Sequence, residues 1–121
     1  MEPGITIGTL NRLLQAEGLT LGVVPEVRLR NTGELVHCVQ VDHLTVGGLV
    51  LGGGLESTSH KHGMFHQQVT EYELVTADAQ CITVSSSENA ELFRVLPMSY
   101  GTFGFLTRLT LRVEQLKPWV N

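Results

Sequence analysis

Residues 42–57, which read DHLTVGGLVLGGGLES, decide the fold of this chain, because five of its thirteen glycines fall within them. The glycines are interleaved with Val and Leu, and neither Lys nor Arg interrupts the stretch. Glycine is needed where the backbone takes a positive φ, or where a ligand or another backbone comes too close for a Cβ atom. Two interpretations follow: a pair of tight turns between strands, or a cradle in which successive backbone N–H groups bind an anion such as phosphate.

Two common phosphate-binding motifs do not fit this glycine run. A P-loop requires Lys and then Ser or Thr after its second glycine, whereas Gly54 and Leu55 follow Gly53. A dinucleotide fingerprint fits residues 52–57 with Ser57 at its last glycine position, and Asp78 lies at a suitable distance beyond. That fingerprint also opens a helix, and residues 57–63 predict a poor one because they are rich in Ser, Thr and His. We therefore expect neither motif.

Several segments, taken in order, resemble the flavin-binding domain of the p-cresol methylhydroxylase (PCMH) and vanillyl-alcohol oxidase family, most closely its Δ24-sterol reductase branch. The resemblance covers residues 1–26, 41–63, 72–75, 87–93 and 101–106. It implies an α+β fold with a mainly antiparallel sheet of about five strands and two short helices. In the family, this is the second subdomain of a PCMH-type FAD-binding domain.

The resemblance also implies a domain organisation. Residues 1–121 correspond to the C-terminal part of the flavin domain, so we expect the first flavin subdomain and the substrate domain to be absent from this chain. Residues 27–40 depart from the family pattern and are interpreted as an apparent insertion, although residues 27–41 taken locally predict a β-hairpin. A genuine surface insertion and retained intron sequence are both open.

The resemblance implies FAD as the cofactor and places it on two segments. The first, residues 45–57, would wrap the pyrophosphate, the ribityl chain and one edge of the isoalloxazine ring, with Thr, Ser and glycine N–H groups as donors. The second, residues 101–104, would let the backbone lie close to the ring. The predicted cofactor-binding residues are Thr45, Val46, Gly47, Gly48, Leu49, Val50, Leu51, Gly52, Gly53, Gly54, Leu55, Glu56, Ser57, Ser59, Gly101, Thr102 and Gly104.

The reaction that the resemblance implies is flavin-dependent reduction of a carbon–carbon double bond in the side chain of a sterol-like substrate, with NADPH as the electron donor. We assign no catalytic residue. The isolated chain is expected to be inactive, because the substrate domain and half of the flavin site are missing. The alternative is a non-catalytic binding or interaction domain that keeps the fold without the flavin.

Composition excludes other classes of protein. Hydrophobic residues make up 42% of the chain and charged residues 17%, which is typical of a globular domain. A net charge of −4 argues against a nucleic-acid partner, which requires a basic face. No apolar run approaches the ~18 residues of a membrane span, so we expect no membrane segment. Cys38 and Cys81 stand apart in apolar surroundings and are predicted to be free, buried thiols.

The histidines offer a weaker possibility of a metal site. His60, His62 and His66, with Glu56 nearby, contain zinc ligand types, and His60 and His62 would share one face of a strand. Because no cysteine pair accompanies them, we expect no metal site. A role for His60 or Lys61 near flavin N1 and a solvated polar turn are the two other interpretations.

Hydrophobic periodicity predicts the remaining elements. Thr6 begins a helix over residues 6–17 that Gly18 ends, with Leu10, Leu13 and Leu14 in the core. Strands are predicted over residues 19–24, 70–76, 80–85 and 103–113, and a helix follows Ser85–Glu88 and runs to about Val95. Ala79 makes a positive φ costly in the turn between the second and third strands, so its turn type is open. Glu73 is expected to have a structural role on its strand.

Overall fold

The computed structural model describes residues 1–23, 43–56 and 58–116. These residues form helices α1 (Ile7–Ala16), α2 (Val46–Gly52), α3 (Ser59–His62) and α4 (Ala90–Val95), and a 3₁₀ turn over Phe65–Gln68. Their strands are β1 (Leu19–Thr20), β2 (Val69–Val75), β3 (Cys81–Ser85), β4 (Phe105–Leu111) and β5 (Glu114–Gln115). Helices and antiparallel strands are mixed, which confirms the predicted α+β class.

The strands form two antiparallel sheets. The larger sheet has the order β3-β2-β4, with β2 at its centre, and β1 pairs with β5 in the smaller one. Five strands were expected, and the described residues contain five. They also contain α2 and α3 in addition to the two expected helices, and both come from the glycine-rich region predicted to be turns or an open cradle.

The core lies between the larger sheet and helices α1 and α2. Burial of apolar side chains from all of these elements is the main stabilising contribution. The buried apolar residues are Ile7, Leu10, Leu21, Val23, Val46, Leu49, Val50, Phe65, Val69, Tyr72, Leu74, Val84, Leu96, Leu106 and Leu109.

Helix α1 follows its prediction closely. The Thr6 side chain accepts a hydrogen bond from the Thr9 N–H at 3.3 Å, and Gly18 takes a φ of +70° after the helix. Leu10 is buried and Leu14 is half-buried. The prediction that Leu13 belongs to the core is wrong, because its side chain is 58% exposed.

Strand β4 does not keep the simple alternation that the sequence indicates. Glu73 of β2 pairs with Arg108, but Leu74 pairs with Leu106, so Thr107 is an extra residue on β4. Such a bulge moves the following side chains to the other face of the sheet. Leu106 and Leu109 are therefore both buried, whereas Phe105 is 75% exposed.

The bulge also gives Glu73 its structural partner. The Thr107 hydroxyl donates to the Glu73 carboxylate at 2.8 Å and lies 3.1 Å from the Glu73 carbonyl oxygen. A half-buried carboxylate is stabilised by such a donor. These contacts favour the structural role expected for Glu73.

Two turn predictions are resolved by backbone angles. Ala79 adopts a φ of +61°, so the β2–β3 turn takes the left-handed conformation although its residue is not glycine. Helix α4 begins after Asn89, which has a φ of +54°. The Ser85 hydroxyl instead accepts from the N–H groups of Ser87 and Glu88, so the serine run forms a turn and does not cap the helix.

The prediction of buried thiols is wrong for Cys81, which is free and exposed on edge strand β3. Four predictions lie outside the described residues: those for Cys38, for the apparent insertion at residues 27–40, for the local hairpin and for Ser57. No helix of the described residues is long and apolar enough to cross a membrane.

Candidate functional site

The glycine run forms a helix, contrary to the expected turns or open cradle. Thr45 is the N-cap of α2, and its hydroxyl accepts a hydrogen bond from the Gly48 N–H at 3.2 Å. Glycine costs about 1 kcal/mol relative to alanine inside a helix. Val46, Leu49 and Val50 are buried, and their burial offsets that cost. Gly53, with a φ of +87°, ends the helix.

Most of the N–H groups that the predicted cradle needed already donate to acceptors within the protein. The Val46 N–H donates to the Ile5 carbonyl at 3.0 Å, and the Gly47 N–H donates to the Pro3 carbonyl at 2.8 Å. The Leu49 N–H donates to the Thr45 carbonyl at 3.1 Å. The expectation that successive N–H groups of the run face a ligand is therefore wrong for the first turn of α2. Val46 and Val50 have buried side chains, so they support the site from the core.

Packing of the protein itself accounts for two of the five glycines. A Cβ atom on Gly47 would lie 2.7 Å from the Pro3 Cβ, and one on Gly54 would lie 2.9 Å from the Phe65 Cβ. Both glycines are buried. They allow α2 to pack against the N-terminal segment and the 3₁₀ turn, and this role requires no ligand.

Of the two exposed glycines of α2, Gly52 has no such explanation. A Cβ atom on Gly52 would meet nothing within 4 Å, and one on Gly48 would meet only the Thr45 hydroxyl, at 3.0 Å. Thr45, Gly48 and Gly52 are three and four residues apart, so they share one face of the helix. This face is exposed, and because glycine has no side chain, open space remains along the surface of the helix.

A groove of about 570 Å³ runs along that face. Its lining residues are His43, Leu44, Thr45, Gly48, Leu49, Gly52, Gly53, Gly54, Leu55 and Glu56. At its far end, the N–H groups of Gly54 and Leu55 donate to no described residue. The groove thus combines a flat apolar helix face with two available backbone donors, an arrangement that suits a long ligand carrying acceptor oxygens.

The second predicted segment lies against the end of α2. The Met98 N–H donates to the Val50 carbonyl, and the Tyr100 N–H donates to the Leu51 carbonyl, each at 3.1 Å. The Met98 sulfur lies 3.1 Å from the position that a Cβ on Gly53 would occupy. The structure therefore brings the end of the glycine run together with the loop that leads to Gly101.

This loop, residues 98–104, contains unusual backbone conformations. Met98 and Tyr100 have φ values of +59° and +53°, and Gly101 has +79°. Left-handed conformations of non-glycine residues cost about 1–3 kcal/mol each and cluster at functional sites. Tyr100 is 80% exposed. The sequence analysis missed Met98 and Tyr100, because neither residue type indicates a positive φ.

The remaining predicted residues of this loop have separate roles. A Cβ on Gly104 would lie 2.8 Å from the Val75 carbonyl oxygen, so this glycine allows close approach to β2. The Thr102 N–H donates to the Ser99 carbonyl at 3.1 Å. Gly101 is exposed, and a Cβ there would meet nothing within 4 Å.

Residues 59–62 form a short helix, although the sequence predicted none there. The Glu56 N–H donates to the Ser59 hydroxyl oxygen at 2.9 Å, and Gly63 ends the helix with a φ of +76°. The Thr58 hydroxyl is buried and has no hydrogen-bond partner among the residues that the structure describes. The His66 Nδ1 atom and the Ser99 hydroxyl are likewise buried without a described partner, and Thr58 is not among the residues that line the groove.

The histidines are separated. His60 and His62 belong to α3 and not to a strand, and His66 lies in the 3₁₀ turn. The His62 Nδ1 atom is 3.1 Å from the Glu114 carboxylate, so its acidic partner is not Glu56. The described part of the chain contains no group of three potential metal ligands.

His66 lines a second, smaller pocket of about 350 Å³, together with Tyr72, Phe93 and Arg94. Burial lowers the pKa of His66 from its ordinary value, and burial raises that of Tyr72. The Tyr72 and Phe93 rings pack at a centroid distance of 5.4 Å. These residues belong to the packing beneath α4 and are distinct from the groove.

Comparison with known proteins identifies the domain. The family model described as "FAD binding domain" matches residues 1–85. The chain belongs to this FAD-binding family. This assignment confirms the resemblance to flavin-binding domains and the prediction that the cofactor is FAD.

Relatives with known names support the same assignment. The chain is similar to Delta(24)-sterol reductase of Homo sapiens, with 42% identity over 121 residues, covering 100% of this chain and 21% of that protein. It is 40% identical to Delta(24)-sterol reductase of Rattus norvegicus over 121 residues, again 100% of this chain and 21% of that protein. The chain therefore spans about a fifth of the length of the curated relatives it matches.

Solved structures show the same fold. Glucooligosaccharide oxidase of Acremonium strictum superposes with a TM-score of 0.74 at 26% sequence identity, covering 95% of this chain and 21% of that one. That oxidase carries a 6-S-cysteinyl, 8α-N1-histidyl FAD. The FAD-binding domain thus accounts for the fold, and its groove is the candidate cofactor site.

Proposed function

We propose that this chain supplies one half of the FAD site of a flavin-dependent oxidoreductase that reduces a double bond in a sterol-like substrate. The cofactor part of the proposal rests on the groove beside α2, and the observation that carries it is the open space at Gly52. The substrate part rests on the sterol reductases to which the chain is similar across its whole length.

The residues of the groove fit FAD in two ways. The Gly48 and Gly52 face allows an extended group to lie directly on the helix. The free N–H groups of Gly54 and Leu55 can donate to phosphate oxygens, and such charge-assisted hydrogen bonds are about twice as strong as neutral ones. When bound, FAD supplies hydride transfer with NADPH as the proposed electron donor, and these residues bind and orient it.

Few free donors face the groove, which supports a half-site. Protein acceptors, including the carbonyl groups of Pro3 and Ile5, already take the N–H groups of residues 46–49, so the described part of the groove offers two backbone N–H groups, those of Gly54 and Leu55. Pyrophosphate needs more donors than these when it leaves water. We propose that the first flavin subdomain precedes the chain and supplies them, and that a substrate domain follows it. The 121 residues alone are then inactive.

Titration of FAD fluorescence tests the proposal on the 121-residue chain and on the chain extended by the first subdomain. We expect a dissociation constant above the micromolar range for the isolated chain and stoichiometric retention by the extended protein, with flavin absorbance near ~450 nm. Tight one-to-one binding by the isolated chain would contradict the half-site. A folded extended protein that binds no FAD would favour the non-catalytic alternative.

A further inference from the structure

The pair formed by His62 and Glu114 connects α3 to the smaller sheet. The His62 Nδ1 atom lies 3.1 Å from the Glu114 carboxylate, and both side chains are partly exposed. Glu114 belongs to β5 and pairs with Thr20 of β1. The contact therefore joins α3, which follows the groove residues in sequence, to the small sheet that β1 and β5 form.

Gly22 lies directly against this pair. A Cβ atom on Gly22 would lie 2.8 Å from His62 Nδ1 and 3.0 Å from the Glu114 carboxylate oxygen. Gly22 is not among the glycines with a positive φ, so its backbone conformation does not itself require glycine. The close approach of the two side chains is the structural reason for glycine at this position.

Helix α3 is short and lies at the surface of the fold. It is a single turn of four residues, and none of them is buried. Short helices gain most of their stability from tertiary packing, and α3 has no apolar face in the core. The contact between His62, the last residue of α3, and Glu114 is therefore one of its attachments to the rest of the fold.

The position of α3 controls the groove donors. The Ser59 N–H donates to the Glu56 carbonyl at 2.9 Å, and the Glu56 N–H donates to the Ser59 hydroxyl at the same distance. Just beyond α3, the Phe65 N–H donates to the Gly54 carbonyl at 2.9 Å. The segment 54–56, which carries the free N–H groups, is thus held from both ends of α3.

We propose that His62, Glu114 and Gly22 form a latch that positions α3, and through it the Gly54 and Leu55 donors, for the FAD phosphates. This inference rests on the proposed function. The three residues are positioning residues, because none of them lines the groove.

Amide hydrogen exchange of the 121-residue chain tests the latch without FAD. In His62→Ala, Glu114→Ala and Gly22→Ala, we expect the amides of Glu56 and Phe65 to exchange about twofold to fivefold faster, while those of β2 keep their rates. Gly4→Ala is the matched control for Gly22→Ala, since a Cβ on Gly4 would meet nothing within 4 Å. Unchanged exchange at Glu56 and Phe65 would overturn the latch.

FAD titration of the extended protein separates the latch from the proposed function. Each single variant should raise the dissociation constant about twofold to fivefold, and the double variant His62→Ala with Glu114→Ala should be no weaker than either single one. His62→Asn, whose amide nitrogen replaces Nδ1 as a donor, should restore most of the affinity. Additive losses, or no rescue by asparagine, would overturn the latch. Failure of the unmodified extended protein to bind FAD would instead overturn the proposed function.

Discussion

Thr6 and Thr45, the N-cap residues of α1 and α2, pair with each other in an isolated antiparallel bridge. The Ile7 N–H donates to the Leu44 carbonyl at 2.8 Å, and the Val46 N–H donates to the Ile5 carbonyl at 3.0 Å. Each chain segment thereby satisfies a donor at the start of the other helix, where helices leave N–H groups unpaired. The same bridge removes the first turn of α2 from the set of groups available to a ligand.

Removing either threonine cap should destabilise the fold. We expect Thr6→Ala and Thr45→Ala each to lower the free energy of unfolding by about 1 kcal/mol, because each loses the side-chain acceptor for a first-turn N–H group. Urea denaturation measures the change. Ser86→Ala, at an exposed turn position, is the control and should stay within about 0.5 kcal/mol. Equal stability of all three variants would show that the caps contribute nothing.

Filling the open glycine face should abolish FAD binding without harming the fold. We expect Gly52→Leu to stabilise α2 by up to about 1 kcal/mol, because leucine is a better helix former and a Cβ atom there meets nothing within 4 Å. In the extended protein, the same side chain occupies the groove, so FAD retention measured by absorbance should be lost. Gly4→Ala should retain the flavin. Normal flavin content in folded Gly52→Leu would place the cofactor elsewhere.

The β2–β3 turn should gain stability from glycine. Ala79 has a φ of +61°, a conformation that costs an L-residue about 1–2 kcal/mol. After the greater entropy of glycine in the unfolded chain is subtracted, Ala79→Gly should raise the free energy of unfolding by about 0.5–1 kcal/mol. Gly18→Ala provides the reverse test, because Gly18 has a φ of +70° with open space around it, and it should destabilise the protein by a similar amount. A destabilised Ala79→Gly variant would contradict the left-handed turn.

Stability should decrease in mildly acidic solution because of His66. Burial lowers its pKa in the folded protein below the ordinary value of 6.5, so below that pH the unfolded chain binds more protons than the folded one. We expect the free energy of unfolding to fall as the pH decreases below about 6.5 and to level off below the folded pKa. His66→Gln should remove this part of the pH dependence, whereas His43→Gln, at an exposed position, should keep it. An unchanged slope in His66→Gln would assign the effect to another group.

Local sequence signals predicted much of the fold. The N-cap at Thr6, the glycine after α1 and the apolar spacing between them gave α1 nearly its observed bounds. The two strands on either side of residues 77–79 also lie within a residue of their predicted positions. These features depend on neighbours a few residues away, so the sequence pattern contains them.

Other features could not be read from local pattern. Glycines in residues 46–52 oppose a helix by propensity, and only the burial of Val46, Leu49 and Val50 against distant elements makes the run helical. The bulge at Thr107 moves Phe105 out of the core, because the register is set by pairing with β2, more than thirty residues earlier in the chain. Positive φ values at Met98 and Tyr100 likewise arise where their loop bonds to the end of α2.

The sequence by itself determined the fold class, the FAD-binding family and the region of the chain in which the candidate site was sought, because these follow from the order of motifs along the chain. The tertiary structure decided which groups within that region are available. Carbonyl groups of Pro3 and Ile5 accept from the N–H groups at the start of α2, whereas those of Gly54 and Leu55 donate to no residue that the structure describes. Contacts such as these, and the pair between His62 and Glu114, join residues far apart in sequence. Only the folded chain brings those residues within hydrogen-bonding distance.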